Sequence, residues 1–579
     1  MPEEGAYDGR TVAERFREIA DLMELLGHEV RKAPAYRRAA AAVERRAAEL
    51  PELVRAGRAT EIPGVGPALA RKAADILATG TCDLLERLRS QVPEGVRRML
   101  ELRGLGPRTV AALWQAGIDE PEVLAEAAAG GCLRALPGFG PQKERALLEA
   151  LRLARPGGGL WLGEAWALGR HLAARLREVP GVLRVEVAGA VRRAAEQVDR
   201  LDLVLALAEG AAGDGRPALP EPARRIAEEA AAAAGIPVRL HPARATTFGA
   251  VLLAATGDEV HLAALEPRLR PRGLALGADG LRRGADLLAT PEEADAYAAL
   301  GLPWIPAELR ERPEVVEAAE RGALPRLLEA GDLQGDLHVH TAWSDGRATL
   351  EAMAEAAEAR GYRYVAVTDH SPSLRVAHGL DTARLKAQWE EMARVQARHP
   401  ALRLLRGAEV DILADGRLDH DEEALAGLEW VNASIHSRFS GGAAEQNRRL
   451  RRAMEEPATC AVAHPGGRRL GLRPPYALDF DRLVEDAREL GVALEVNASP
   501  ERLDLASEQA AAAHRAGVAL VLASDAHSPE GLRALELGVA WARRAGLGPE
   551  AFLNAQPLEA ILEHAARRRR TGGAPERPM

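Results

Sequence analysis

Most of the histidines and several carboxylates in the C-terminal part of the chain follow short apolar runs. The candidate ligands are His338, His340, Asp345, His370, Glu409, His436, His464, Asp525 and His527. Mixed imidazole and carboxylate ligands suit manganese, zinc or iron, and nine of them could hold two or three divalent ions. The set is too large for a Ser-His-Asp triad and too poor in sulfur for a structural zinc site. The pattern therefore predicts a hydrolytic centre in which metal ions lower the pKa of water.

These side chains need a scaffold that brings distant parts of the chain together. From residue 332 onward, helical segments alternate with apolar runs at 364–368, 402–406, 430–435, 460–463 and 518–523. This alternation is typical of parallel α/β barrels, whose active sites lie at the carboxyl ends of the strands. Because the candidate ligands follow the runs, we expect them to meet at one face of such a domain.

The ligand pattern resembles that of the PHP (polymerase and histidinol phosphatase) family across residues 333–570. The resemblance implies a distorted (β/α)7 barrel with a trinuclear metal centre. It assigns one metal to His338, His340, Glu409 and Asp525, a second to Glu409, His436 and His464, and a third to Asp345, His370 and His527. Arg438 and Arg468 closely follow two of these ligands, and we expect them to hold a phosphate.

A glycine pattern occurs three times in the N-terminal region, where apolar spacing predicts helices from residue 11 to about residue 154. Its paired glycines are Gly64, Gly66, Gly104, Gly106, Gly138 and Gly140. Two glycines around one apolar residue at a helix start expose backbone N–H groups that can bind phosphate. The three copies resemble helix-hairpin-helix modules, and this resemblance implies binding to the DNA backbone.

Between these regions, a glycine-rich linker at 155–159 precedes predicted strands at 182–188, 201–207 and 238–240. Residues 187–202 resemble the nucleotidyltransferase signature of DNA polymerase family X. In that signature Gly-Ser opens a helix, and an Asp-x-Asp pair on the next strand binds two magnesium ions. With the hairpin repeats before it and the PHP-like region after it, the whole chain resembles the bacterial family X polymerases.

The departures from this signature predict a disabled polymerase centre. Gly189 matches the family's glycine, but Ala190 replaces the serine. Arg200 replaces the first aspartate of the pair and leaves Asp202 alone, while Arg239 stands where the third catalytic aspartate belongs. Three aspartates would carry a charge of about −3, whereas Asp202 with two arginines carries about +1. We therefore expect two-metal nucleotidyl transfer with magnesium to fail.

The degenerate palm is expected to serve as a platform that holds DNA. Its arginines, which could contact phosphates without a metal, are Arg192, Arg193, Arg200 and Arg239. A metal site that uses Glu196 or Asp199 stays open as an alternative, and with it residual polymerase activity.

Lys72, in the helix after the first hairpin, is one of four lysines in a chain rich in arginine. In family X relatives a lysine at this place forms a Schiff base with an abasic sugar and releases the 5′-deoxyribose phosphate. Arginine could hold a phosphate there, but it cannot lose its proton to become a nucleophile. Lys72 is therefore either a lyase nucleophile or an ordinary solvated lysine.

The bulk composition excludes several classes of protein. The net charge of −9 neither indicates nor excludes DNA binding, because it averages over several domains. The three cysteines lack CxxC spacing, which argues against a disulfide framework. No apolar run is long enough to cross a bilayer, and residues 1–16 lack the pattern of a secretory signal. We expect a cytoplasmic monomer without a membrane partner.

The sequence thus predicts a multidomain protein with an all-α N-terminal region and α/β middle and C-terminal parts. The expected segments are a helix-hairpin-helix lyase-like domain at 1–90, a helix-hairpin-helix fingers-like domain at 91–155, the palm at 160–265, the thumb and connector at 266–330, and the PHP domain at 333–579. The expected function is metal-dependent 3′–5′ digestion of gapped, nicked or end-containing DNA in repair. The alternatives are a gap-filling polymerase, a non-enzymatic DNA-end binder and a small-molecule phosphatase.

Overall fold

The computed structural model describes residues 7–27, 29–102, 104–136, 139–151, 158–208 and 217–571. Two compact units make up the chain, one formed mainly by the N-terminal helices and one that begins with the first strand. Among the described residues, no helix is both long enough and apolar enough to span a membrane.

The N-terminal unit is helical, as the apolar spacing predicts. Its helices are α1 Gly9–Leu26, α2 Ala33–Arg45, α3 Leu50–Arg55, α4 Pro67–Thr79, α5 Asp83–Arg89, α6 Glu94–Leu100, α7 Pro107–Gln115, α8 Pro121–Gly130 and α9 Pro141–Leu151. Three of these, α4, α7 and α9, begin at the proline after a glycine repeat. Proline fits the first helical position because its missing N–H would have no partner there. The repeats therefore set where these helices start.

The palm is a small α/β layer. Its elements are β1 Leu160–Trp161, α10 Leu162–Arg177, β2 Val182–Ala188, α11 Gly189–Arg192, β3 Gln197–Val198, β4 Leu201–Leu207, α12 Glu221–Ala234 and β5 Val238–Arg244. The main sheet has the order β2-β4-β5, with β4 antiparallel to β2 and parallel to β5. Every residue of β4 is buried, because helices cover both faces of this central strand.

The thumb and connector follow. Their elements are α13 Phe248–Thr256, α14 Glu259–Leu269, β6 Leu274–Gly277, β7 Gly280–Arg283, β8 Asp286–Leu287, α15 Glu293–Ala299 and α16 Val315–Glu320. One apolar core joins α13, α14, the β6–β8 sheet and the two later helices.

The C-terminal domain alternates strands and helices. Its strands are β9 Gly335–Val339, β10 Tyr364–Val367, β11 Arg403–Asp411, β12 Trp430–Ser434, β13 Ala461–Val462, β14 Ala493–Asn497 and β15 Leu520–Ala523. Its helices are α17 Leu350–Ala359, α18 Thr382–Gln396, α19 Glu422–Gly427, α20 Ala443–Glu455, α21 Phe480–Leu490, α22 Ser507–Arg515, α23 Ala534–Arg544 and α24 Leu558–Thr571.

These seven strands form one parallel sheet in the order β15-β14-β13-β12-β11-β10-β9. The two edges come together where Val339 pairs with Ala526 and the His340 N–H donates to the Ala526 carbonyl at 2.9 Å. The sheet is therefore a nearly closed barrel, which confirms the expected fold class. All residues of β9, β10, β12, β14 and β15 are buried, as in parallel sheets covered on both faces.

The barrel differs from the strand predictions in two details. β11 continues to Asp411, so Glu409 lies inside a strand and not after it. β9, Gly335–Val339, and β14, Ala493–Asn497, were not among the predicted apolar runs. In β14, Glu495 and Asn497 alternate with apolar residues, so polar side chains interrupt the apolar run.

Candidate metal centre and degenerate palm

The barrel strands bring all nine predicted ligands into one buried cluster. Donor atoms lie within 4.8 Å of one another in three groups: His340, Asp345, His370 and His527; His338, His340 and Asp525; and His370, Glu409 and His436. His464 joins the cluster through its Nε2, which lies 2.7 Å from Glu409 Oε1. The groups share members, as a multinuclear centre requires. The resemblance placed His370 with Asp345 and His527 only, whereas in the structure His370 also lies with Glu409 and His436.

Glu409 occupies the middle of this cluster. Its Oε2 lies 3.0 Å from His370 Nδ1 and 3.3 Å from His338 Nε2. Its Oε1 lies 3.3 Å from His436 Nε2. Burial raises the pKa of Glu409, but the surrounding imidazoles outweigh it and hold the pKa well below the ordinary value. A carboxylate with two oxygens directed at different imidazoles has the arrangement of a bridging ligand.

Several imidazole nitrogens at the centre lack hydrogen-bond partners. Within the described part of the chain these buried atoms are His338 Nε2, His340 Nδ1, His340 Nε2 and His464 Nδ1. A buried polar atom without a partner costs free energy, and native proteins rarely leave one in this state. Coordination of a metal ion would satisfy such atoms, so the donor set fits divalent metals.

Two of the ligands and a neighbouring arginine have left-handed backbones. The φ angles are +29° at His464, +55° at Asp525 and +59° at Arg438. Residues with side chains adopt this region at a cost and usually where function requires it.

β14 contributes residues that orient the ligands, and these residues were not among the predicted site residues. Glu495 Oε1 lies 2.6 Å from His338 Nδ1, and its Oε2 accepts the His464 backbone N–H at 2.5 Å. Asn497 Nδ2 donates to Asp525 Oδ2 at 3.1 Å. Elsewhere in the cluster, Asp411 plays the same part by placing Oδ1 2.6 Å from His436 Nδ1. Such contacts fix which imidazole nitrogen faces a metal.

We expect Glu495→Gln to weaken metal binding by roughly 10–100-fold, because the carboxylate that orients His338 is lost while its shape is kept. Metal content after dialysis against graded chelator concentrations measures the effect. Glu485→Gln, on the exposed face of α21, is the matched control and should retain its metal. Equal metal retention in both variants would show that Glu495 does not orient the ligand.

The two phosphate-gripping arginines have different surroundings. Arg438 is exposed, and no described residue accepts a hydrogen bond from its guanidinium. Arg468, in contrast, pairs with Glu196 of the palm at 2.8 Å and donates to the carbonyls of Arg502 and Leu503. The prediction for Arg468 is therefore wrong, since its guanidinium joins the palm to the barrel and is not free for phosphate.

In the palm, the carboxylate of Asp202 is fully engaged by its neighbours. Arg200 Nε donates to Asp202 Oδ2 at 2.9 Å, and His241 Nε2 lies 2.8 Å from Oδ1. Burial raises the pKa of Asp202, but these hydrogen bonds outweigh it and keep the pKa below the ordinary value. Asp202 pairs in register with Arg239 across β4 and β5.

The turn after β2 requires glycine at position 189. Gly189 has a φ of +62°, and a Cβ there would lie 2.6 Å from Asp202 Oδ2, so only glycine fits. Ala190 follows in α11 and is partly buried. Arg193 does not face a ligand site, because it pairs with Glu311 at 2.8 Å and donates to the Thr256 carbonyl. Arg193 was predicted to contact a phosphate, but in the structure its guanidinium contacts residues of the thumb and connector.

The hairpin repeats share one geometry. In the first two, Gly64 and Gly104 have φ angles of +89° and +91°. The apolar residue between each glycine pair is buried, and its N–H donates to a carbonyl three residues earlier, as from Val65 to Ile62 at 3.0 Å. Gly66, Gly106 and Gly140 are exposed, while Gly138 lies outside the described residues. Exposed backbone at a helix start is suited to phosphate binding.

Lys72 is partly buried on α4, and no described residue forms an ion pair with it. Two of the other lysines do form such pairs, Lys32 with Glu29 and Lys386 with Glu423, both at 2.6 Å. The amine of Lys72 is therefore not neutralised by a carboxylate of the described chain.

Comparisons with known proteins agree with this architecture. Four regions match known families: residues 9–82 a "Helix-hairpin-helix domain", 96–153 a "SAM-like Helix-hairpin-helix tandem", 251–311 a "DNA polymerase beta thumb" and 336–468 a "PHP domain". A Bacillus subtilis protein named "DNA polymerase/3'-5' exonuclease PolX" is 35% identical over 94% of this chain and 96% of its own length.

Shorter relatives match the C-terminal part. A "Probable phosphatase" of Syntrophotalea carbinolica is 28% identical over 39% of this chain and 94% of its own length. Another, of Acetivibrio thermocellus, is 31% identical over 33% of this chain and 78% of its own length. The full-length likeness decides between a free-standing phosphatase and a polymerase-like protein. The chain belongs to the bacterial DNA polymerase family X, in the form that carries helix-hairpin-helix repeats and a C-terminal PHP domain.

Proposed function

We propose that this protein is a metal-dependent DNA 3′–5′ exonuclease of DNA repair, whose PHP domain hydrolyses the strand and whose hairpin repeats hold it. The observation that carries the proposal is the buried cluster of nine ligands with unpartnered imidazole nitrogens. A buried centre of this composition has little purpose in a protein that only binds DNA ends. The hairpin repeats argue against a small-molecule phosphatase.

The residues proposed to hold two or three ions of manganese, zinc or iron are His338, His340, Asp345, His370, Glu409, His436, His464, Asp525 and His527. Bound ions would lower the pKa of water and stabilise charge on the attacked phosphate. Glu409 would bridge two ions, because its oxygens face different imidazoles. Glu495 and Asn497 would keep the ligands His338 and Asp525 oriented.

Arg438 is proposed to bind the phosphate next to the cleaved bond. It follows the ligand His436 by two residues, and its guanidinium is exposed. Arginine suits this task since its planar fork matches two phosphate oxygens at once.

A gapped duplex labelled at the 5′ end of the primer strand tests the proposed function. With manganese and without dNTPs, we expect the labelled primer to shorten one nucleotide at a time from its 3′ end. Chelation with EDTA should stop the shortening. If the primer stays intact with each of manganese, zinc and iron, the protein is not a 3′–5′ exonuclease. We also propose that the protein prefers gapped or nicked DNA, is a monomer and is located in the cytoplasm.

Metal binding should release protons, and it should weaken as the pH falls. Burial lowers the pKa of His436, but Glu409 and Asp411 outweigh it and raise the pKa to about 10. Burial also lowers the pKa of His527, but Asp345 outweighs it and raises the pKa to about 9. Both imidazoles are thus protonated at pH 7 in the metal-free protein and must lose a proton to ligate. We expect affinity to rise with pH up to about 9–10, with more than one ion bound per chain.

Calorimetric titration of manganese or zinc in two buffers of different ionisation enthalpy measures this proton release. His436→Gln should release fewer protons than the wild type. His399→Gln, whose imidazole pairs with Glu351 and Glu358 away from the cluster, should release the same number. Binding of a single ion without proton release would contradict the proposed ligand set.

We infer a second activity, a 5′-deoxyribose-phosphate lyase, from Lys72. Its amine has no described carboxylate partner, unlike those of Lys32 and Lys386. Borohydride should therefore trap the wild-type protein on incised abasic DNA. Lys72→Arg keeps the charge but cannot form a Schiff base, so trapping should vanish. Lys32→Arg is the matched control, and trapping that persists in Lys72→Arg would exclude this role.

A further inference from the structure

We propose that the degenerate palm contains a metal-independent binding site for a nucleoside phosphate, formed by Arg200 and Arg239 beside Asp202. The ligand class is a phosphate that carries a nucleoside, present either in a DNA strand or in a free nucleotide. The site occupies the place where the signature would hold two magnesium ions, and it binds the anion directly.

The sheet register places the charged side chains together. Asp202 and Arg239 are paired neighbours on the parallel strands β4 and β5, so their side chains lie on the same face. His241, two residues after Arg239, lies on that face too and contacts Asp202 at 2.8 Å. Arg200 reaches the same carboxylate through its Nε. One buried carboxylate thus anchors the cationic group.

The contacts with Asp202 leave guanidinium groups of Arg200 and Arg239 available to bind an anion. Arg200 uses Nε on Asp202, and within the described chain no residue accepts a hydrogen bond from its two Nη atoms. Arg239 is exposed and likewise has no described acceptor. The charges of Asp202, Arg200 and Arg239 sum to about +1, which favours an anion over a divalent cation. The other two palm arginines are excluded, since Arg192 and Arg193 pair with Glu293 and Glu311.

A cavity that is bordered by His241 gives room for the nucleoside. Its volume is about 320 Å³, and His241 lies in its wall together with apolar residues of α13, α14 and β6. Glu266 is the carboxylate in this wall, and it pairs with Arg270 at 2.9 Å. His241 belongs both to this wall and to the Asp202 cluster, so a sugar and base in the cavity could carry a phosphate towards the two arginines.

The salt dependence of DNA binding tests the site. Anisotropy titrations with a gapped duplex are made in EDTA, which removes any metal contribution and silences the nuclease. Each phosphate contact contributes about 0.9 to the slope of log K against log salt. We expect Arg239→Ala to reduce this slope by about 0.9. Arg225→Ala, an exposed arginine of α12 on the same domain, should leave it unchanged.

A second titration distinguishes a free nucleotide from a DNA strand as the ligand. It is made in EDTA with a fluorescent nucleoside triphosphate, and inorganic phosphate is the competitor. Binding that disappears in Arg239→Ala and Arg200→Gln identifies a free nucleotide. A changed DNA slope without nucleotide binding identifies the DNA backbone. If both variants keep the wild-type slope and the wild-type nucleotide binding, the site does not exist. This result is independent of the nuclease, which is measured separately with metal.

Discussion

Asp525→Ala and His340→Ala are each expected to lower the rate of DNA digestion by several orders of magnitude. Asp525 Oδ1 lies 3.2 Å from His340 Nε2, and His340 belongs to two of the three ligand groups, so each variant removes a ligand at or beside this shared residue. Loss of such a ligand disturbs more than one ion. Affinity for DNA should remain nearly unchanged, because it depends mainly on backbone contacts of the hairpin repeats. Digestion of end-labelled DNA and anisotropy titration measure the two effects.

Asp415→Ala is the matched control for these variants. Asp415 is an exposed carboxylate of the same domain and pairs only with Arg417 among the groups described around it. Its loss should leave digestion at the wild-type rate. Should Asp525→Ala and His340→Ala also digest DNA at that rate, the cluster would be structural, and a non-enzymatic DNA-end binder would become the better description.

No template-directed primer extension is expected with magnesium and dNTPs. Asp202, the aspartate that this chain retains from the Asp-x-Asp pair, is already bound by Arg200 and His241, and Arg239 stands beside it. A magnesium ion would have to displace these groups and approach two cationic side chains. The assay uses a gapped duplex and the Asp525→Ala protein, so that the primer is not degraded during the measurement.

Two positive results would overturn this expectation in different ways. Extension that is abolished by Asp202→Ala would show that the single carboxylate suffices for nucleotidyl transfer. Extension that survives Asp202→Ala would show that another group holds the metal. Glu196 is a poor candidate for that group, because its carboxylate pairs with Arg468.

The sequence by itself determined the architecture and the candidate ligands. Local sequence patterns can be identified without a structure. Here they are three glycine repeats, a nucleotidyltransferase signature, and a set of histidines and carboxylates after apolar runs. The likeness to a full-length relative and to the hairpin, thumb and PHP families confirms the family and the fold class. The loss of palm aspartates was visible for the same reason, since a substitution at a fixed position needs no structure.

Only the tertiary structure decided which polar groups form hydrogen bonds with those ligands and with the palm residues. Glu495 and Asn497 lie in a strand that alternates polar and apolar residues, and their contacts depend on β14 pairing with β15 and β13. His241 reaches Asp202 because of the β4–β5 register. Arg468 pairs with Glu196, more than 200 residues away in sequence, so no spacing rule could assign it. Long-range pairing of charges is set by packing of whole domains, which a local sequence pattern does not contain.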